Sequence, residues 1–156
     1  MRALVACVGN PLRGDDGFGP AVAAALDDLP AGVRLVETGI GGVALLQELM
    51  AGWDGLILVD ATDRDAAPGT VFALAPHVAE AVHVPDVHLA DPDRVLSIAK
   101  ALGWLPARVL LVGCQPSGVE LGQGLSPPVR AAVTVAIAEI RATLAAWHDD
   151  GGEEAP

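Results

Sequence analysis

The chain predicts a three-layer α/β/α domain, with a five-stranded mixed sheet between two layers of helices and its fourth strand antiparallel. Three observations carry that prediction. Apolar runs bounded by turn residues alternate with segments of helical periodicity, the pattern of a largely parallel sheet. Two of the runs, ALVACV and GLILVD, are apolar almost throughout, as fully buried strands are. One neighbouring pair of runs lies too close in sequence to hold a crossover helix, so one strand must run against the others.

Each element follows in order. Ala3–Val8 is the first strand, and Phe18, Val22, Leu26 and Leu29 then give a helix ending near Pro30. Val33–Glu37 is the second strand. The glycine loop TGIGG leads from it into a helix carrying Leu45, Leu46, Leu49 and Met50. Gly55–Asp60 is the central strand, and the Pro68-Gly69 turn brings the chain into Thr70–Leu74, the antiparallel strand. A long loop over 75–90 carries His83 and His88. Asp91-Pro92-Asp93 opens a helix to about Leu102, with a cap, a first-turn proline and an acid near the positive end of the dipole. Arg108–Gly113 is the last strand. Ser126-Pro127 opens the final helix, whose stripe is Val133, Ile137, Ile140, Leu144 and Trp147. The expected organisation is a single domain over 1–148 and a disordered acidic tail, DDGGEEAP, over 149–156.

Composition narrows the possible partners. With 156 residues, 52% of them hydrophobic, the chain can bury a substantial core. No run reaches the ~18 apolar residues of a membrane helix. The opening MRALVACVGN is too short in its apolar part for a secretory signal, so a cytoplasmic protein is expected. The net charge of −11, with Lys100 as the one lysine, opposes nucleic-acid and anionic-membrane partners. Cys7 and Cys114 make no disulfide framework and no CxxC clip; they read as buried thiols.

Sites in such sheets form at the C-terminal ends of the parallel strands. The first loop there is GNPLRGDDGFG, Gly9–Gly19. Gly9-x4-Gly14 has Walker A spacing, but Asp15-Asp16 stand where Lys-Ser/Thr must be, and two carboxylates repel phosphate. A dinucleotide fingerprint is missing too, although Glu37 stands where a ribose-binding acid would. A helix cap explains one of Asp15 and Asp16 but not both. Asp60 ends an otherwise apolar strand, where a carboxylate must be paired or bind a cation. A strand-end Asp that caps its own loop is the competing reading. His88 precedes a helix, with His83 as its nearest competitor; His77 and His148 read as solvated. Together Asp16, Asp60 and His88 come from three segments that this topology gathers at one edge. Two carboxylates and an imidazole suit a borderline divalent transition metal with open positions.

At this point the motifs resemble those of the hydrogenase maturation endopeptidases. The ordered set is GN-x4-DDG-x-G after strand one, TGIGG after strand two, VDATD at the end of strand three and the APGT turn. VHLAD before a helix and VGCQP at the last strand complete it. The likeness spans about residues 1–145. It implies a twisted five-stranded sheet with strand four antiparallel. It also implies an endopeptidase that removes a C-terminal extension from the large-subunit precursor of a nickel–iron hydrogenase once nickel is in place. The metal-binding trio implied by the resemblance falls on Asp16, Asp60 and His88, with nickel arriving within the precursor. The segment PDVH departs from the usual S/T-x-H, which leaves His83 as a possible exchange partner for His88. A Cys114–His88 nucleophile pair is the weaker alternative to a water nucleophile; Asp15 is read first as the cap of the helix start, and as a candidate to orient that water only second. A nickel-checking or carrier protein using the same trio without cleavage is the alternative function, and a dinucleotide-binding oxidoreductase using Glu37 is a third.

Overall fold

The computed structural model describes residues 1–80 and 92–151. The elements, in chain order, are β1 (Ala3–Val8), a short 3-10 turn (Gly14–Gly17), α1 (Phe18–Ala25), β2 (Val33–Gly39), α2 (Gly42–Leu49) and β3 (Gly55–Ala61). There follow β4 (Val71–Leu74), α3 (Pro92–Ala101), β5 (Arg108–Cys114) and α4 (Pro127–Gly151). The sheet order is β2-β1-β3-β5-β4. β1 pairs in parallel with β2 and β3, β3 in parallel with β5, and β4 alone runs antiparallel, against β5. The antiparallel fourth strand is thus as expected from the short link before it.

The side-chain alternation of a strand explains the three layers. On one face, Ala3, Val5 and Cys7 of β1 join Ile57 and Val59 of β3 and Val112 of β5 beneath α1 and α4. On the other, Leu4, Ala6, Leu56 and Leu58 meet Leu45 and Leu49 of α2 and Val95, Leu96 and Ala99 of α3. Strands covered on both sides bury apolar groups at successive positions, hence the unbroken runs ALVACV and GLILVD.

Three boundaries differ from expectation by two residues or more. α1 stops at Ala25 rather than near Pro30, and Leu26 is already extended (φ −89°, ψ 104°). Asp27 and Asp28 would lie at the negative end of the dipole, and Pro30 disfavours helical Leu29. Leu26 still reaches the core from its extended backbone, so its apolar spacing imitated another helical turn. β2 runs on to Gly39, which takes φ +61°. α4 continues to Gly151, taking in Asp149 and Asp150, which the composition assigned to a disordered tail. Arg108 holds this end: its Nη1 donates to the carbonyl of Trp147 (3.0 Å) and lies 3.7 Å from Asp150 Oδ2. The remainder of the expected tail, 152–156, lies outside the described residues.

Candidate active site at the carboxyl edge of the sheet

The loop from β1 to α1 is folded by two close backbone approaches. Gly9 has φ +140°, and a Cβ there would collide with the carbonyl oxygen of Asp16. Gly19 rests on the strand ends themselves. Its Cβ would run into the carbonyl of Val8 and lie 3.0 Å from that of Val59. The chain three residues after Asp16 therefore sits against the backbone one residue before Asp60. The 3-10 turn carrying Asp16 packs on β3 as well.

Asp16 is half-buried, and its Oδ2 accepts a hydrogen bond from the Asn10 amide (2.8 Å). That bond orients the carboxylate. A carboxylate has about four lone-pair sites, so Asp16 keeps acceptor capacity toward a cation. Asp60 is also half-buried, at the carboxyl end of β3 in register with Gly113 of β5. One acid on the turn after β1 and one at the end of the neighbouring parallel strand β3 thus stand at one edge. Among the described residues no three His, Cys, Asp or Glu side chains form a metal cluster. The expected third donor, His88, and its competitor His83 lie outside the described residues. Two anionic oxygen donors suit a divalent ion of the borderline class, so the acids present fit the donor set expected from the sequence.

Asp15 behaves differently from its neighbour. It is 2% exposed, and its oxygens accept from Ser117 N (2.7 Å), Gly118 N (3.3 Å), Ser126 N (2.7 Å) and Ser126 Oγ (2.8 Å). Burial pushes its carboxyl upward, but the bonds from Ser126, Ser117 and Gly118 outweigh it and hold the group below its ordinary value. Asp15 does not cap the helix that follows it; α1 has Gly17 at its N-cap and no side-chain cap. It ties the residue before α4 instead. With its acceptors engaged there, it is a structural anchor rather than the group that orients a water.

Cys114 is fully buried, and its thiol is pushed up to about 11 by burial, then by the negative charge of Asp15. Cys7 is pushed up to about 12, by burial and then by Glu37. Neither thiol is a ready nucleophile. Glu37 is exposed on β2 opposite Cys7, and His77 and His148 are exposed as expected.

Gln115 stands inside the VGCQP motif with no role expected of its side chain, and the fold makes it central. It is 6% exposed. Its Oε1 accepts from the amides of Arg64 (2.7 Å) and Ala66 (3.3 Å), and its Nε2 donates to Asp63 Oδ1 (3.0 Å). That bond is the main cause holding the exposed Asp63 carboxyl below its ordinary value. The available signal was a polar residue directly behind the apolar strand RVLLVGC.

This edge is built from the ends of strands in a fold shared with characterised proteins. Residues 21–143 match the hydrogenase maturation protease family. The hydrogenase 2 maturation protease of Escherichia coli (strain K12) is 34% identical over 162 residues, spanning 100% of this chain and 96% of that protein. The hydrogenase expression/formation protein HupD of Rhodobacter capsulatus is 35% identical, over 94% of this chain and 72% of HupD. Among solved structures, the hydrogenase maturating endopeptidase HybD of E. coli superposes with a TM-score of 0.79 at 34% identity, covering 97% of this chain and 94% of HybD. The chain belongs to the hydrogenase maturation protease family.

Proposed function

We propose that this protein trims the C-terminal extension from a nickel-loaded nickel–iron hydrogenase large-subunit precursor, with the nickel of the precursor held by Asp16, Asp60 and His88. The observation that carries this reading is the placement of two half-buried carboxylates, on a turn and a strand end packed against each other, at the carboxyl edge of a maturation-protease sheet. Anionic oxygens and a neutral imidazole are ligands a divalent transition metal accepts, and a metal so held polarises a carbonyl or a water beside it. Asp16, oriented by the Asn10 amide, and Asp60, fixed by the strand end, would orient the precursor so that the scissile peptide lies beside the cleft. Water is the nucleophile in this reading, because both thiols are buried and raised.

Overall acidity favours a metal-bearing protein surface over a nucleic acid. No described helix is long and apolar enough to cross a membrane. Incubation with a tail-bearing precursor, loaded or free of nickel, followed by intact mass, tests the reading. Loss of the tail from the loaded precursor alone is expected. Asp16→Ala, Asp60→Ala and His88→Ala should each abolish the loss while the domain stays folded. Binding of the loaded precursor with no cleavage would instead establish the nickel-checking alternative. Full trimming by all three variants would remove the metal trio.

A further inference from the structure

The turn carrying Asp16 and the segment that follows Asp60 at the end of β3 are cross-linked by one short turn that follows β5. At its start, the Gln115 side chain holds the segment after β3, through the amides of Arg64 and Ala66 and the carboxylate of Asp63. The turn is seated on the sheet, since the Gln115 amide donates to Thr70 O (2.9 Å) and Thr62 N donates to Cys114 O (2.9 Å). Two residues on, the amides of Ser117 and Gly118 hold the carboxylate of Asp15, the residue adjoining Asp16. The same loop is pinned again where Asp15 N donates to Gly118 O (3.0 Å) and Gly14 N to Gly122 O (2.8 Å). Gln115 is thus on the covalent path of four residues, Gln115 to Gly118, that joins the segment following Asp60 to the Asp16 loop.

We propose that Gln115 is a positioning residue: its side-chain bridge to Asp63, Arg64 and Ala66 sets the spacing of the Asp60 and Asp16 carboxylates. The proposal rests on the trimming function put forward above. The physical case is that a metal held by oxygens from separate loops binds only as well as those loops are spaced, and outer partners that hold the ligand-bearing segments supply that spacing. A fully bonded buried amide is rigid in a way an apolar contact is not, because each partner that loses it is left unpaired.

The test uses the direction of the bridge. Gln115→Glu keeps an oxygen for the Arg64 and Ala66 amides but sets a second carboxylate against Asp63. Asp63→Asn in the same chain restores a donor–acceptor pair, now pointing the other way. Wild type, both single variants and the double variant are compared by affinity for the precursor with and without nickel and by kcat and KM for trimming. Amide exchange at Arg64 and Ala66 is measured in the same set. Gln115→Glu is expected to lower affinity for the nickel-loaded precursor by about 10–100-fold, the usual cost of an outer-partner change. Affinity for the nickel-free precursor should stay level, which a general loss of folding would not allow. The double variant should recover most of the loss. If Gln115→Glu does not fold, Asp63→Ala, at an exposed position, removes the outer end of the bridge and should show the same nickel-specific loss, in smaller degree. Intact nickel discrimination in the folded single variants, or a double variant no better than Gln115→Glu, overturns the proposal. A wild type that neither binds nor trims the loaded precursor overturns the functional reading instead. The bridge is then judged by exchange: faster exchange at Arg64 and Ala66 in Gln115→Glu, reversed in the double variant, supports it, and unchanged exchange overturns it.

Discussion

Replacing Asp15 by alanine should cost this domain a large part of its stability, although the residue takes no part in the proposed chemistry. Four hydrogen bonds end on its carboxylate, two from Ser126 and one each from Ser117 and Gly118. At about 1 kcal/mol net for each, the direct loss is about 4 kcal/mol. An open pocket lined by Gly14, Asp15, Ser117, Gly118, Glu120 and Ser126 lets water reach the freed donors, which lowers the cost. The expected loss is therefore about 2–4 kcal/mol, against a total of about 5–15 kcal/mol for an ordinary domain. Urea unfolding followed by tryptophan fluorescence measures it, and the thermal midpoint should drop by roughly 4–16 °C. Asp15→Asn, equal in size, should lose much of the same stability, since one acceptor oxygen becomes a donor facing other donors. The pH dependence has a definite sign. A carboxyl held below its ordinary value stabilises fully above its unfolded pKa, near 3.8, and loses that contribution as pH falls through the lower folded value. The gap between wild type and Asp15→Ala should thus be constant at neutral pH and narrow below about pH 4. A variant within about 0.5 kcal/mol of wild type at pH 7, the range of ordinary surface changes, would refute the anchor.

Two further outcomes follow from the same edge. Gly19→Ala would drive a methyl group into the carbonyl of Val8 and close on that of Val59, so it should destabilise by about 2–4 kcal/mol in urea unfolding and reduce trimming through displacement of the Asp16 loop. Cys114→Ala should trim normally, and thiol alkylation of the folded protein at pH 8 should be slow and leave trimming intact, because the thiol is buried and ionises only near 11. Rapid inactivation by an alkylating reagent that wild type shows and Cys114→Ala does not would restore the thiol as a nucleophile.

The fold was legible in the sequence wherever structure depends on neighbours along the chain. ALVACV and GLILVD announce strands covered on both faces, and the short link from Ala61 to Val71 leaves no room for a crossover helix. Even the misplaced end of α1 has a local cause, because Leu26 serves the core from an extended backbone and so keeps a helical spacing. The site was legible only in part, because its acids are visible in sequence while their partners are not. Asp15 and Asp16 look alike there, two carboxylates between glycines at a helix start. The partners that separate them are remote for Asp15, 102 residues away at Ser117 and 111 at Ser126, and near for Asp16, at the Asn10 amide. Their different fates follow from the turn that holds them. Successive side chains of a 3-10 turn point about 120° apart, so two adjacent carboxylates face different surroundings. One of them had to face the α4 side of the loop, where the donors of Ser117, Gly118 and Ser126 make its burial favourable. The other is left on the side of β3 with acceptor capacity to spare. The doubled acid therefore divides its labour: Asp15 fixes the loop, and Asp16 keeps the acceptor capacity that the proposed cation site requires.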